Sequence, residues 1–502
     1  MSTNPPLEEA AQHELKRHAV GTVGIVFFVV AAAAPLAATV ATAPITFGET
    51  GRGAPGAYLI YGIILLFFAA GYAAMSRHVT SAAGFAAYIE QGLGRIPGFA
   101  GATLAVFSYT LTLLGVYGAF GYFTNAIVKQ ELNFDLPWYF WSLAGVAVVG
   151  VLGYLEIDLS AKILGVLMVA EMSLLVLFDI VAPARGGASG VSLSAFIPGN
   201  VFAGAVGVTI LFASTTFIGF EATAIYGEEA REPRKAVPRA TYTAVAVVGA
   251  FYTITMWAIG LAYKAGAVQS AAVTDPANFV FNVNTQFVGK WSTDVLDVLV
   301  ITSYFATLLA FHNTLARYLY SLARGGVLPS PLRETHPRWR SPHVASIVIT
   351  VTTVIVVAAF AIGRADPFLV MFSYLAGLGT IGILVLEATT SISVVVFFRR
   401  KRSGANLWSG LVAPLLGAGG ITAAIVLGVT NWKTFTGATG GLAAQLPWLL
   451  VAAAFAGVVL AWVKRGSVRT ISTGFKNLLP AESPAVVSGA VTPTPAEGGP
   501  IQ

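Results

Sequence analysis

The sequence contains no cysteine, which excludes disulfides, thiolate nucleophiles and cysteine-based metal sites. Charge is scarce as well. Asp, Glu, Lys and Arg make up 10% of the 502 residues, against about 25% in a typical soluble domain, too little to cover a water-facing surface of this size. Histidine occurs six times without ligand spacing, with His13 and His18 in the leader, His336 and His343 in a basic loop, His312 in an apolar run and His78 standing apart from all of them. No metal and no cofactor are expected. What the sequence has in excess is hydrocarbon, with 56% hydrophobic residues and a mean hydropathy of +0.76.

Crossing a hydrocarbon core about 30 Å thick takes roughly 20 apolar residues of helix at about 1.5 Å each. The apolar runs here are too long and too uniform for barrel strands of about 10 alternating residues. Twelve spans are predicted, at 20–47, 55–75, 97–125, 137–155, 160–182, 201–227, 239–263, 293–322, 344–363, 367–397, 408–430 and 446–463. The expected fold class is an all-α membrane protein. Lys16, Arg17 and His18 precede the first run as they would in a signal peptide, but that run is too long, contains Pro35 and lacks a clean cleavage site. It is predicted to be a retained helix.

With the N-terminus inside, the 29 Lys and Arg fall on the cytoplasmic side except Arg52, Lys129, Arg185, Lys264, Lys290, Arg364 and Lys433. This bias predicts a multi-pass protein of the cell membrane with both termini cytoplasmic. The net charge of +6 then follows from topology and contact with anionic lipid, and does not point to nucleic acid. Along the chain the expected organisation is a leader (1–19), a first five-helix repeat (20–182), an external connection (183–200), a second five-helix repeat (201–397), helices 11 and 12 (398–465) and a largely disordered cytoplasmic tail (466–502). The loops are too short for a soluble catalytic domain. The longest external one, about 264–292, is predicted to form a small cap over an outer mouth.

Two spans look interrupted. In the first, "FFVVAAAAPLAATVATAP", Pro35 removes a backbone donor and disfavours helical geometry at Ala34, among residues small enough for close approach. In the sixth, "STTFIGFE", Gly219 follows three hydroxyl side chains that compete for backbone hydrogen bonds. The two breaks are five spans apart. Because five is odd, repeats offset by five spans would have opposite orientations in the membrane, and paired broken helices in such inverted repeats point to a midplane transport site. A broken helix leaves backbone N–H and C=O groups without partners, and a zwitterion can supply both kinds. The substrate-binding candidates are therefore Ala34, Ala37, Ala38 and Thr39 from the first break, and Ser214, Thr215, Thr216, Phe217, Gly219, Phe220 and Glu221 from the second. Phe217 and Phe220 flank the break and can gate it.

Buried carboxylates are the other signal. Glu221 can be bonded within the bundle, contact a substrate amine or exchange a coupling proton. Glu171, midway along the fifth span with no charged neighbour in sequence, can hold a proton until water enters. These two are the proton-coupling candidates. Glu387 is read as structural, and Asp179 is expected to reach the interface.

With those residues in place, the sequence resembles the amino acid permeases of the amino acid, polyamine and organocation transporter superfamily. The likeness is most specific at "FIGFEATAIYGEEAREPRKAVPRAT" (217–241), where Gly219, Phe220 and Glu221 are followed by Glu228, Glu229, Pro233, Pro238 and Arg239. It continues at "NTLARYLYSLARGGVLPSPLRETHPRWRSPHVA" (313–345) and, more weakly, at "SAAGFAAYIEQGLG" (81–94). The resemblance implies a leucine-transporter-type fold, five plus five inverted helices with two more at the C-terminal end, and secondary transport of an amino acid or related amine. It also marks departures. Ala37, Ala38 and Thr39 replace the Gly-Ser-Gly typical of the family's first helix, and Glu171 stands where some sodium-independent members carry a lysine.

The leading expectation is an amino acid symporter, coupled to protons and importing by alternating access. The alternative is a polyamine or other amine permease or exchanger. A membrane-embedded enzyme would need a metal cluster, a carboxylate pair or an activated nucleophile, and none has persuasive spacing.

Overall fold

The computed structural model describes residues 21–79, 83–155, 161–221, 223, 230–401, 404–436 and 441–465. The expectations for the leader, for the tail and for Glu228 and Glu229 lie outside the described residues.

Every regular element among the described residues is helical. The longer ones in the first part are α1 (Thr22–Ala33), α2 (Pro35–Thr50), α3 (Ala54–Ser76), α4 (Gly84–Leu93), α5 (Arg95–Leu132), α6 (Trp138–Leu155) and α7 (Ala161–Ala184). There follow α8 (Val206–Thr215), α9 (Pro233–Ala262), α10 (Val268–Thr274), α11 (Phe279–Phe287) and α12 (Lys290–Arg324). The series ends with α13 (His343–Ile362), α14 (Ser373–Lys401), α15 (Ala413–Thr430) and α16 (Trp448–Val463). Among the described residues nine helices are long and apolar enough to cross a membrane, with Pro35–Ser76 counted as one run. They make an all-α membrane protein. The number is below the twelve predicted spans because the first and sixth runs are divided, α2 runs almost directly into α3, and α16 is short.

Burial separates inner helices from outer ones. In their membrane-crossing windows, 72% of residues are buried in α5 and in Pro367–Lys401, against 28% in α6, α13 and Gly165–Ala184 of α7. Exposed apolar side chains on the outer helices, such as Val151, Val166 and Ile355, suit lipid rather than water. The inner helices meet through small residues, since apolar burial alone does not drive association in hydrocarbon. A Cβ added at Gly379 of α14 would stand 2.8 Å from the Ser108 backbone oxygen of α5, and one at Gly382 would clash with the Ser108 hydroxyl. That close approach sets α5 and α14 side by side around the site described below.

The stretch predicted as a cap folds into α10 and α11. α10 packs on α2, where Gln269 donates to the Gly48 carbonyl at 2.8 Å. α11 packs on α12, with Asn284 donating to Thr293 at 2.9 Å. Asp179, expected to reach the interface, is half-buried and accepts from the Thr255 hydroxyl of α9 at 2.7 Å.

Candidate functional site

The first break falls at Ala34, whose φ of 41° and ψ of 72° are left-handed. Pro35 begins α2 without a donor and crowds the residue before it, so the helix stops there. Such geometry costs an alanine about 1–2 kcal/mol, and side chains from three helices offset it. Tyr252 of α9 donates to the Ala33 carbonyl at 2.8 Å. The Ala37 N–H donates to Ser303 Oγ of α12 at 3.3 Å. Glu171 of α7, 3% exposed, hydrogen-bonds the Leu36 backbone and the Ser303 hydroxyl. A carboxylate therefore already sits at the N-terminal end of α2, where the helix dipole favours an anion.

The second break follows α8. The chain turns through residues 216–221, with the Phe217 N–H reaching the Ser214 carbonyl at 3.1 Å and the Ile218 N–H reaching Thr215 at 3.2 Å. Gly219 has φ of 114°, a conformation that favours glycine. Glu221 then folds back on the turn. Its Oε2 accepts from the Gly219 N–H at 2.9 Å, its Oε1 from the Tyr109 hydroxyl at 2.5 Å, and its carbonyl oxygen from Tyr72 at 3.0 Å. Of the three roles read from sequence, this geometry is that of a carboxyl group bonded within the bundle. Removing it orphans two buried donors at about 1–3 kcal/mol each. Glu221→Ala is therefore expected to lower the thermal unfolding midpoint of the purified protein, whereas Glu221→Gln, which keeps an acceptor, loses less. Equal midpoints for Glu221→Ala and the parent would contradict this.

Between the two breaks lies a cavity of about 50 Å³. At about 10–15 Å³ per water on this scale, it has room for a few waters. Ala34, Ala37 and Ala38 line it from the first break, and Thr215, Thr216 and Ile218 from the second. Thr112 and Val116 of α5, Tyr304, Thr307 and Phe311 of α12, and Phe372 close the walls. This described lining includes no charged side chain.

Five predicted site residues, Ala34, Ala37, Ala38, Thr215 and Thr216, thus line one space. The others do not line it. Thr39 is fully buried elsewhere on α2, its hydroxyl without a partner, because one further residue rotates it about 100° around the helix. Ser214 donates to the Leu211 carbonyl at 2.7 Å. Phe217 and Phe220 sit behind the turn among aromatic rings, Phe217 at 5.4 Å from Tyr61 and Phe220 at 5.7 Å from Phe68. Gly219, Glu221 and Glu171 serve the breaks themselves. Glu387, read as structural, is buried and accepts from Tyr61 at 2.9 Å.

Tyr304 is the lining residue that stands out. It is 2% exposed, and its hydroxyl has no hydrogen-bond partner. Tyr304, Thr307 and Phe311 fall at i, i+3 and i+7, one face of a helix, and that spacing was the available signal.

The profile of the amino acid permease family matches residues 20–453. The chain is similar to a branched-chain amino acid permease of Bacillus subtilis, 24% identical over 383 residues that span 71% of this chain and 77% of the relative. It is similar to the chloroplastic cationic amino acid transporter 7 of Arabidopsis thaliana, 24% identical over 74% of this chain and 68% of the relative. An L-asparagine permease of Salmonella typhimurium is 23% identical over 65% of each. The family match covers both interrupted helices and every lining residue of the cavity between them. The chain belongs to the amino acid permease family, and is a multi-pass membrane transporter rather than an enzyme.

Proposed function

We propose that this protein is a secondary active transporter that imports a neutral amino acid across the cell membrane by alternating access, coupled to protons. The observation that carries the reading is the uncharged Ala- and Thr-lined cavity between two interrupted helices. In this reading residues 20–182 and 201–397 form two inverted five-helix halves, helices 11 and 12 complete twelve spans, and both termini are cytoplasmic.

A substrate in this cavity meets the positive end of the α2 dipole near Ala34 and Ala37, which is left to the substrate carboxylate once Glu171 has taken up its proton. The Tyr304 hydroxyl, unpartnered and buried, is the free polar group of the wall and orients the polar head. Thr215 and Thr216 contribute from the other break, although their hydroxyls are also engaged locally. The substrate side chain faces alanines, Val116 and Phe311. The relatives are named for branched-chain amino acids, cationic amino acids and L-asparagine. A cationic side chain would find no carboxylate in the wall, which favours a neutral one.

Glu171 is the proposed carrier of the coupling proton. Ionised, it holds the Leu36 backbone and Ser303 and complements the α2 dipole, tying α7, α2 and α12 together. Protonated, it loses its charge and with it much of that hold. A proton arriving with the substrate thus loosens one half of the bundle against α12.

Uptake of labelled leucine into proteoliposomes, with alanine, arginine, putrescine and ethanolamine as competitors, tests the substrate class. Alanine is expected to compete, and the two amines without a carboxylate are not. Inhibition by putrescine or ethanolamine would favour an amine permease or exchanger instead.

A further inference from the structure

Away from the cavity, three carboxyl groups converge at the end of the bundle that carries α10 and α11. Glu131 at the end of α5, and Asp294 and Asp297 in the first turns of α12, each offer an oxygen, and these oxygens all lie within 4.8 Å of one another. Asp294 and Asp297 are at i and i+3, so they share the helix face that meets α5. Two oxygens on opposite sides of a calcium ion, each about 2.4 Å from it, stand about 4.8 Å apart, so the cluster has the span of one ion's ligands.

The three groups are not equally satisfied. Lys290 Nζ lies 2.6 Å from Asp294 and 3.8 Å from Glu131, at the exposed side of the cluster. Asp297 is 4% exposed, and its Oδ2 is buried with no hydrogen-bond partner. Its electrostatic neighbours are Glu131 and Asp294, which repel it, and Lys290, which already serves them. A buried carboxylate oxygen without a donor is costly unless it is paired or coordinates a metal. One ammonium against three carboxylates leaves room for a divalent charge.

We propose that Glu131, Asp294 and Asp297 form a calcium site that ties the ends of α5 and α12 together. Both helices line the cavity, through Thr112 and Val116 and through Tyr304 and Thr307, so an ion here fixes the spacing of two of its walls. The proposed orientation puts this end outside the cell, where calcium is abundant. The binding itself does not depend on the transport reading.

The test is calorimetric titration of the full-length, detergent-purified and chelator-treated protein with calcium chloride. Saturable binding is expected with Kd of about 10⁻⁴–10⁻³ M, the range of extracellular sites with few carboxylates. Asp297→Asn and Glu131→Gln should each weaken it at least about tenfold, as loss of one of three charged ligands would. Glu131 is at the surface, so Glu131→Gln keeps the test informative should Asp297→Asn not fold. Lys290→Gln, which removes the competing ammonium, should tighten binding. Absence of saturable binding to the parent protein, wild-type affinity in either carboxylate variant, or weaker binding in Lys290→Gln would overturn the assignment.

Discussion

Glu171→Gln protein is expected to exchange substrate across a proteoliposome membrane while failing to accumulate it against a gradient. Glutamine keeps the length of the side chain and an oxygen that accepts from the Leu36 backbone and from Ser303, so the break at Ala34 keeps its support. What glutamine lacks is a charge that changes with a proton. One pH unit across the membrane is worth about 1.4 kcal/mol per proton, roughly tenfold in accumulation. The parent protein should therefore concentrate substrate by up to that factor for each unit imposed. The variant should stop at equal concentrations inside and outside, whatever the gradient. Accumulation that still follows pH in Glu171→Gln would remove this residue from proton coupling, and loss of exchange as well would mark it as purely structural.

A second large effect is expected from filling the cavity. Ala38 faces it and is only partly buried, so Ala38→Leu adds three carbons to a space of about 50 Å³ without displacing packed backbone. Overpacking costs about 1–3 kcal/mol, and 1.4 kcal/mol is a factor of ten, so substrate binding should weaken about ten- to hundredfold. The next residue gives the control. Thr39 is wholly buried on another side of α2, and its hydroxyl has no partner. Thr39→Val should fold as well as the parent and transport at its rate. Substrate binding measured on both variants separates the two faces of α2. Unchanged affinity in Ala38→Leu would mean that the substrate binds elsewhere.

The features legible in the sequence were those with local causes. Pro35 stops a helix wherever it stands, and the break appears at the residue before it. Gly219 after three hydroxyl residues marked the second break, and the chain turns there with φ of 114°. The direction of side chains was harder to read. Phe217 and Phe220 flank the break as expected, yet they pack behind the turn, since the apolar rings of Tyr61, Tyr72 and Phe68 are there to receive them. Glu221 lay beside the break in sequence but turned from the cavity to Tyr109. Tyr304 pointed the other way, into the cavity, from a helix whose apolar residues gave little warning.

By itself the sequence determined the membrane class, the approximate positions of the nine helices long and apolar enough to cross a membrane among the described residues, and the places where two apolar runs break, because hydropathy, proline and glycine act over a few neighbouring residues. Only the tertiary structure decided which residues share the cavity and which carboxyl groups serve the breaks. Those outcomes depend on pairs far apart in the chain, such as Ala37 with Ser303, 266 residues away, and Tyr109 with Glu221, 112 away. In a bilayer the lipid-facing and core-facing sides of a helix are both apolar. The periodicity that exposes the inner face of a soluble helix is therefore muted here, and packing alone chooses it.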